Sequence, residues 1–227
     1  MGVSQHIPNV FTSLNLFSGC VGIVFVTSGR IEYVPFCVWL SAFFDFLDGF
    51  FARMLNVKSE IGKEFDSLAD MITFGLLPAF VVFQLLSNIS SGYLPFFAFL
   101  LAIFSGLRLA KFNVDTTQRD VFIGMPTPAV ALLITGLIFL LELDLAQYFT
   151  SEFSLLAIAV IFSWLMVSPF RFIALKFDHY RWNGNELKFV LLIVSVILLT
   201  IWGLYATPFV IMWYILISLL GNLTSKI

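Results

Sequence analysis

Charged side chains are scarce in this chain of 227 residues, of which Asp, Glu, Lys and Arg together make up 11%. Soluble globular domains carry about 25% charged residues, so the composition argues against a soluble protein. Hydrophobic residues reach 60%, with 28 Phe, and the mean hydropathy is +1.00. Because the apolar residues form blocks about as long as a bilayer is thick, we predict a multi-pass membrane protein.

Histidine and cysteine are scarce too, with two residues of each. Cys20 and Cys37 both lie in apolar stretches, so we expect them to be buried small hydrophobic side chains. His6 and His179 lie outside the acidic segment described below, which argues against a zinc site there. Residues 1–8 contain no Lys or Arg, so we expect no cleavable signal peptide.

Eight apolar segments are candidates for membrane-spanning helices. They are residues 9–28, 34–55, 64–86, 93–109, 128–141, 153–167, 187–205 and 208–220. The fifth and sixth segments are short for a bilayer. We therefore predict an all-α integral-membrane bundle of about eight helices, which forms a single domain over residues 1–227.

Basic residues are concentrated on one side of this predicted bundle. Eight spans place both termini on the same side, and eleven of the twelve Lys and Arg residues fall there, with Arg30 alone opposite. Cytoplasmic loops carry an excess of Lys and Arg. We therefore predict that this side, with both termini, faces the cytoplasm from the inner (cytoplasmic) membrane.

Four aspartates lie within 26 residues, near the ends of the second and third spans. Carboxylates in or beside a membrane are costly and usually mark a functional site. Asp45 and Asp48 are spaced i, i+3, and Asp66 and Asp70 are spaced i, i+4, so each pair shares one helix face. The short link 56–61 makes the two helices neighbours, and all four carboxylates can then converge.

Such convergence predicts a metal site, because four carboxylates repel one another unless cations lie between them. Hard oxygen ligands favour Mg²⁺, Mn²⁺ or Ca²⁺ over zinc. Two such cations suit phosphoryl-type chemistry, since they can neutralise a pyrophosphate and polarise its phosphorus. The alternative, in which each Asp is a helix cap or a solvated charge, does not explain four of them on two facing helices.

Small residues accompany the aspartates at positions 49, 52 and 62. Gly49, Ala52 and Gly62 have little or no side chain, so a nucleotide diphosphate can lie against the helix backbones. Arg53 is placed to donate hydrogen bonds to a phosphate. Alternatively, the glycines serve helix packing, and Arg53 is an anchor that reaches the membrane interface.

The segment 45–70 fills every fixed position of the pattern D-x-x-D-G-x-x-A-R-x8-G-x-x-x-D-x-x-x-D. It resembles the signature of the CDP-alcohol phosphotransferases. The resemblance implies that Asp45, Asp48 and Asp66 ligate two divalent metals, and that Asp70 completes this site and acts as general base. The residues implied to line the CDP pocket are Gly49, Ala52, Arg53 and Gly62.

The same resemblance implies a core of six transmembrane helices, here about residues 1–180, with two extra helices within about 187–221. It implies an active site open to the cytoplasm and a homodimer. Three further stretches, near residues 7–17, 108–114 and 124–129, and the short run 165–168 are similar to bacterial and archaeal phosphatidylserine synthases of this family. They imply CDP-diacylglycerol and L-serine as substrates, a bilayer environment and no nucleic-acid partner.

Basic residues near the fourth and sixth spans are candidates for the acceptor site. Arg108 and Lys111 are spaced i, i+3, and Arg171 and Lys176 follow the sixth span. They can hold the serine carboxylate or a lipid phosphate. Alternatively, they are ordinary flanking charges. Lys111 stands where the resemblance leads us to expect Arg, which keeps the charge but loses the bidentate geometry.

Polar residues near the starts of two spans are weaker candidates. Asn9, Thr12 and Asn15 can contact the nucleotide, or Asn9 or Thr12 can cap the first helix. Thr127 can add a polar contact in the acceptor site, or the stretch 124–128 can be a rigid helix entry.

The sequence is compatible with three alternative functions. The same reaction can use glycerol 3-phosphate, inositol phosphate or choline as acceptor, although a phosphorylated acceptor favours a denser basic cluster. The carboxylates can instead serve cation transport, or the chain can be a lipid-binding relative without activity. Neither histidine belongs to an H-x-K motif, so we favour a direct displacement over a covalent intermediate.

Overall fold

A computed structural model describes residues 7–57, 59–115, 121–141, 143, 146–175, 177 and 181–224 of the chain. Helices dominate these residues and confirm the predicted all-α membrane class. They are α1 (Ile7–Thr27), α2 (Val34–Met54), α3 (Glu60–Asp70), α4 (Leu77–Ser87), α5 (Leu100–Val114), α6 (Thr127–Gly136), α7 (Ala146–Phe149), α8 (Glu152–Val167), α9 (Glu186–Trp202) and α10 (Thr207–Leu223).

The predicted spans correspond to the long apolar helices of the structure. Five continuous helical stretches in the described part of the chain are long and apolar enough to cross a membrane: Ile7–Thr27, Ile31–Met54, Glu60–Ser87, Leu94–Val114 and Glu186–Leu223. The stretch Glu186–Leu223 contains both the seventh and the eighth predicted span. The 3₁₀ turn Gly203–Ala206 divides it into α9 and α10, and these two helices pack against each other. The fifth and sixth spans are short, as predicted.

The third span begins earlier than predicted, at Glu60 instead of residue 64. Ser59 is the N-cap, and its Oγ accepts a hydrogen bond from the backbone N–H of Gly62 at 3.1 Å. The first turn of α3 is polar, so a search for apolar residues does not detect it. This extra turn brings Gly62 into the same helix as the third and fourth aspartates.

A π-helical turn, Met71–Leu76, joins α3 to α4 within one continuous helix. Such turns insert an extra residue into an α-helix and are frequent at functional sites. Gly75 lies in this turn, where a Cβ would be only 2.7 Å from Oγ of Ser105 on α5. The glycine therefore allows α5 to approach the helix that carries Asp70.

A short antiparallel strand pair is the exception to the predicted all-helical fold. It pairs β1 (Val121–Ile123) with β2 (Arg171–Ile173). Gly124 follows β1 with φ +79°, and a Cβ there would collide with the backbone carbonyl of Met166. Only glycine tolerates both the positive φ and this close crossing. Residues 124–128 then enter α6, with two prolines at its start, which confirms the helix-entry interpretation.

Helix α1 buries one face against the rest of the bundle. This face consists of small and polar residues, including Thr12, Asn15, Ser18, Gly19 and Gly22. Cys37 on α2 is buried, as predicted, but Cys20 is exposed because it lies on the opposite face of α1. The bundle thus directs a polar stripe of α1 toward α2 and α3, where the aspartates lie.

Candidate active site

Three of the four predicted aspartates form a compact group. One carboxylate oxygen from each of Asp45, Asp48 and Asp66 lies within 4.8 Å of the other two. Helix α2 supplies the first two from successive turns, and α3 supplies the third. Asp48 is buried, and the other two are partly buried.

This group fits a divalent cation. Oδ1 of Asp66 is buried and has no hydrogen-bond partner among the described residues. Carboxylates this close repel one another strongly, especially where they are shielded from water. A hard cation between them removes the repulsion and supplies the missing partner, and oxygen-only ligand sets are those preferred by Mg²⁺, Mn²⁺ and Ca²⁺.

Asp70 lies one turn beyond Asp66 and outside the group of three. It is buried, and its Oδ1 accepts a hydrogen bond from Nδ2 of Asn15 at 3.0 Å. Its charge interacts with those of Asp45 and Asp66 and with that of Arg108 on α5. The four aspartates therefore form an arrangement of three plus one, in which a residue of α1 holds the fourth.

Asn15 is the centre of a buried hydrogen-bond network. Its backbone carbonyl accepts from Oγ of Ser41 at 3.1 Å and from Oγ1 of Thr73 at 3.2 Å. These bonds tie α1 to α2 and to the π-helical turn that follows Asp70. We expected Asn15 to contact a nucleotide, but its side chain contacts Asp70. Its three-residue spacing from Thr12 on the polar stripe was the available signal for a role in the site.

A cavity of about 600 Å³ opens beside the carboxylate group. We call it the first cavity; its lining residues come from α1, α2, α3 and the link before α3. It brings together Asn9, Thr12, Gly49, Ala52 and Gly62, all predicted to contact CDP, with two of the three grouped aspartates.

Asn9 and Thr12 lie inside α1, so the alternative that one of them caps this helix is wrong. Thr12 donates its Oγ1 hydrogen to Oδ2 of Asp48 at 2.9 Å. A Cβ on Gly62 would lie 3.2 Å from Oδ1 of Asn9. The absence of a side chain at position 62 therefore lets α1 and α3 approach each other at the cavity wall.

Arg53 lies beside the first cavity and is not among the described residues that line it. Its side chain is exposed and folds back along α2, where a Cβ on Gly49 would lie 3.3 Å from Nη1 of Arg53. The glycine thus leaves space for the guanidinium group. From this position the group can turn toward a phosphate in the cavity.

A second cavity, also of about 600 Å³, lies among the C-terminal ends of α5 and α8 and strand β1. Arg108 and Lys111 both line it. Arg108 is buried, with its guanidinium carbon 5.9 Å and 6.0 Å from the ring centres of Phe112 and Phe122. Its Nε has no hydrogen-bond partner in the described part of the chain. Burial rules out an ordinary flanking charge for Arg108; Lys111 is exposed.

Residues 5–168 match the CDP-alcohol phosphatidyltransferase family, another name for the CDP-alcohol phosphotransferases. This match covers well over half of the chain and includes every position of the aspartate pattern. The protein belongs to this family. It is therefore a multi-pass membrane protein of a divalent-metal-dependent transferase family.

Similar family members share most of the chain's length. A protein of Helicobacter pylori (strain ATCC 700392 / 26695) is 32% identical over 95% of this chain and 94% of its own length. A protein of Bacillus subtilis (strain 168) is 33% identical over 80% of this chain and 95% of its own. One from Saccharomyces cerevisiae is 36% identical over 58% of this chain and 53% of its own. All three are named CDP-diacylglycerol–serine O-phosphatidyltransferase.

The other predicted acceptor residues of this family member are dispersed. Arg171 is exposed on β2, directly opposite Ile123, which lines the second cavity. Thr127 is fully buried at the start of α6, and its Oγ1 has no partner within the described ranges. It lines neither of the two cavities. Lys176 lies outside the described residues.

Asn113 is a residue whose contacts the sequence did not predict. Its Nδ2 donates to Oγ of Ser67 at 2.8 Å, and its carbonyl accepts from Nζ of Lys63. These bonds join the end of α5 to α3 next to Asp66. Asn113 belongs to the stretch that resembles phosphatidylserine synthases, and this was its only signal in the sequence.

Proposed function

We propose that this protein transfers the phosphatidyl group of CDP-diacylglycerol to the hydroxyl of L-serine, which gives phosphatidylserine and CMP. The group of Asp45, Asp48 and Asp66 beside the first cavity carries the reaction type. The cavity volume lies within the range of small-molecule sites, about 300–1,000 Å³. The shared name of the similar proteins supports serine as the acceptor.

Two divalent cations, Mg²⁺ or Mn²⁺ with Ca²⁺ as an alternative, are assigned to Asp45, Asp48 and Asp66, and Asp70 completes their site. The unpartnered Oδ1 of Asp66 supports this assignment. When bound, such cations neutralise a pyrophosphate and polarise its phosphorus.

The first cavity takes the CDP group, while the acyl chains stay in the lipid. Gly49, Ala52 and Gly62 provide a wall without bulky side chains, so the diphosphate can approach the helix backbones. Asn9 and Thr12 of α1 offer polar atoms to the same cavity. The Arg53 guanidinium donates hydrogen bonds to a phosphate and neutralises part of its charge.

The second cavity takes the serine carboxylate. Arg108 is its main ligand, because a buried guanidinium with an unpartnered Nε favours an anionic oxygen. Lys111, Arg171 and Lys176 are secondary candidates for the same carboxylate or for a lipid phosphate.

Asp70 is the general base of a direct displacement. Its carboxylate takes the proton of the serine hydroxyl, and that oxygen attacks the phosphorus that bears the diacylglycerol. The bond from this phosphorus to the CMP oxygen breaks, and CMP leaves with the electron pair. Nδ2 of Asn15 orients the carboxylate of Asp70 during this step. Asp70 lies one turn beyond Asp66, and α5, which carries Arg108, packs against α3 and the π-helical turn, which supports a position between donor and acceptor.

We also propose that the protein acts as a homodimer in the inner (cytoplasmic) membrane, with its active site and both termini toward the cytoplasm. The asymmetry of Lys and Arg among the loops supports this orientation, and the resemblance to the family supports the dimer. Residues 1–227 form a single domain in this proposal.

The test is CMP release from CDP-diacylglycerol by the purified protein with Mn²⁺ or Mg²⁺. L-serine, glycerol 3-phosphate, inositol phosphate and choline are supplied separately. We expect release with serine alone, and loss of that release with EDTA. Release with another acceptor would keep the reaction type and overturn serine. A folded preparation that is inactive with all four would favour a transport or lipid-binding role.

A further inference from the structure

The backbone of β2 is held on one edge by β1 and on the other by side chains of α10. Tyr214 donates its hydroxyl hydrogen to the carbonyl of Ile173 at 3.1 Å. Oγ of Ser218 accepts from the N–H of Ile173 at 3.3 Å. Together with Asn222, these residues are spaced i, i+4, i+8, so they share one face of α10. We call Tyr214, Ser218 and Asn222 the α10 clamp.

Asn222 makes the two bonds of the clamp that involve Arg171. Its Oδ1 accepts from the backbone N–H of Arg171 at 3.0 Å, and its Nδ2 donates to the carbonyl of Arg171 at 2.7 Å. The same Nδ2 also donates to the carbonyl of Ser218 at 2.8 Å, which fixes the amide on its own helix. Asn222 therefore offers β2 a donor and an acceptor, as a neighbouring strand would.

Such a clamp is needed because β2 is a three-residue strand in a protein of apolar helices. Non-helical backbone in such surroundings is stable only where its N–H and carbonyl groups find partners inside the protein. Strand β1 supplies partners on one edge, and α10 supplies them on the other. The position of β2 therefore depends on a helix that lies beyond the part of the chain that matches the family.

The register of the strand pair connects this clamp with the second cavity. Arg171 is directly opposite Ile123, and directly opposed residues of an antiparallel pair project on the same face. Ile123 lines the second cavity. The side chain of Arg171 therefore emerges on the cavity side of the strand pair, from a backbone position that Asn222 holds on the other edge.

We propose that the α10 clamp positions Arg171 for the carboxylate of the amino-acid acceptor, so that the C-terminal helix sets the affinity for this substrate. The inference rests on the proposed function, since it takes the second cavity as the acceptor site. It gives the last helix of the bundle a role in substrate recognition. Asn222 and Ser218 are positioning residues here, and Arg171 contacts the acceptor carboxylate alongside Arg108, the main ligand.

The test compares Asn222→Ala with wild type in steady-state CMP release by the full-length protein, with serine and CDP-diacylglycerol varied in turn. We expect the KM for serine to rise about tenfold, with the KM for CDP-diacylglycerol within about twofold of wild type. Thr224→Val is the matched control, because among the described residues Oγ1 of Thr224 bonds only carbonyls of α10. This control should leave both KM values unchanged.

A double variant separates positioning from general destabilisation. If Asn222 acts through Arg171, the combination Arg171→Ala with Asn222→Ala should have the serine KM of Arg171→Ala alone. Multiplied effects, or a rise in both KM values, would overturn the proposal, as would an unchanged serine KM.

If Asn222→Ala does not fold, Ser218→Ala removes a single bond and should raise the serine KM about two- to threefold. Wild type that releases no CMP with serine would refute the proposed function instead, before any variant is measured.

Discussion

The two cavities have about the same volume, close to 600 Å³ each, but their construction differs. The first is lined by residues between positions 8 and 66, with two carboxylates from the acidic group. The second is lined by residues from three separate segments between positions 107 and 168, and it contains the buried Arg108. One cavity therefore suits cations and the phosphates they attract, and the other suits an anion.

The difference indicates that the two cavities bind different substrates. In the proposed function, metal and donor nucleotide bind between neighbouring helices joined by a short link, whereas the acceptor binds between helices and strands far apart in the chain. Asp70 interacts with both groups of charges, with Arg108 and with Asp45 and Asp66. Substitutions on the two sides of Asp70 should therefore affect different substrates.

The largest effect is expected at Asp70 itself. Asp70→Asn removes the proposed general base while it keeps the shape and the contact with Asn15, so turnover should fall by about 10³-fold. Binding of CDP-diacylglycerol, measured by equilibrium titration, should stay within about twofold. Glu64→Gln, an exposed acid on the same helix, is the control and should retain full activity. Intact turnover in Asp70→Asn would remove Asp70 as the base.

The next effect is expected at Asn15, which bonds the proposed base Asp70 and is not among the described residues that line either cavity. Asn15→Leu keeps the branching at Cγ and removes the bond to Oδ1 of Asp70, so kcat should fall about 10- to 100-fold. Ser18→Ala is a matched control, since Ser18 is equally buried on the same face of α1 and bonds the carbonyl of Cys37 instead. Equal loss of kcat in both variants would mean that Asn15 only stabilises the helix packing.

In the second cavity, substitutions of Arg108 and Lys111 should differ in their effect on the KM for serine. Arg108→Gln should raise the KM for serine about tenfold, because a charge-assisted bond in a buried site is lost. Lys111→Gln should raise it about threefold or less, since exposed charges are screened by water. Neither variant should change the KM for CDP-diacylglycerol more than about twofold. The reverse order of the two effects would contradict the assignment of Arg108 as the main ligand.

The smallest effect is expected at the wall of the first cavity. Gly62→Ala places a Cβ 3.2 Å from Oδ1 of Asn9, and this tight contact should raise the KM for CDP-diacylglycerol about threefold. Gly106→Ala on α5 is the control, because a Cβ there meets no atom within 4 Å. A change in the serine KM instead would mean that the first cavity does not hold the nucleotide.

The distance along the chain between contacting residues explains which features could be predicted from sequence. The aspartates, Gly49, Ala52 and Gly62 lie within 26 positions, so helical spacing alone brings most of them together. The bond between Asn15 and Asp70 spans 55 residues, and those between Asn222 and Arg171 span 51. No local pattern encodes such pairs. Spacing also could not show that Arg108 is buried while Lys111 is exposed, although hydropathy located the spans to within a few residues.

The π-helical turn Met71–Leu76 has a consequence for how the third helix can evolve. One extra residue rotates everything after it by about 100° relative to an unbroken α-helix. The face of α3 that carries Asp66 and Asp70 and the core-facing side of α4 are therefore out of phase, and each can be optimised without regard to the other. Removal of a single residue from this turn would bring the two halves back into phase, and either Asp70 or the buried residues of α4 would then point the wrong way.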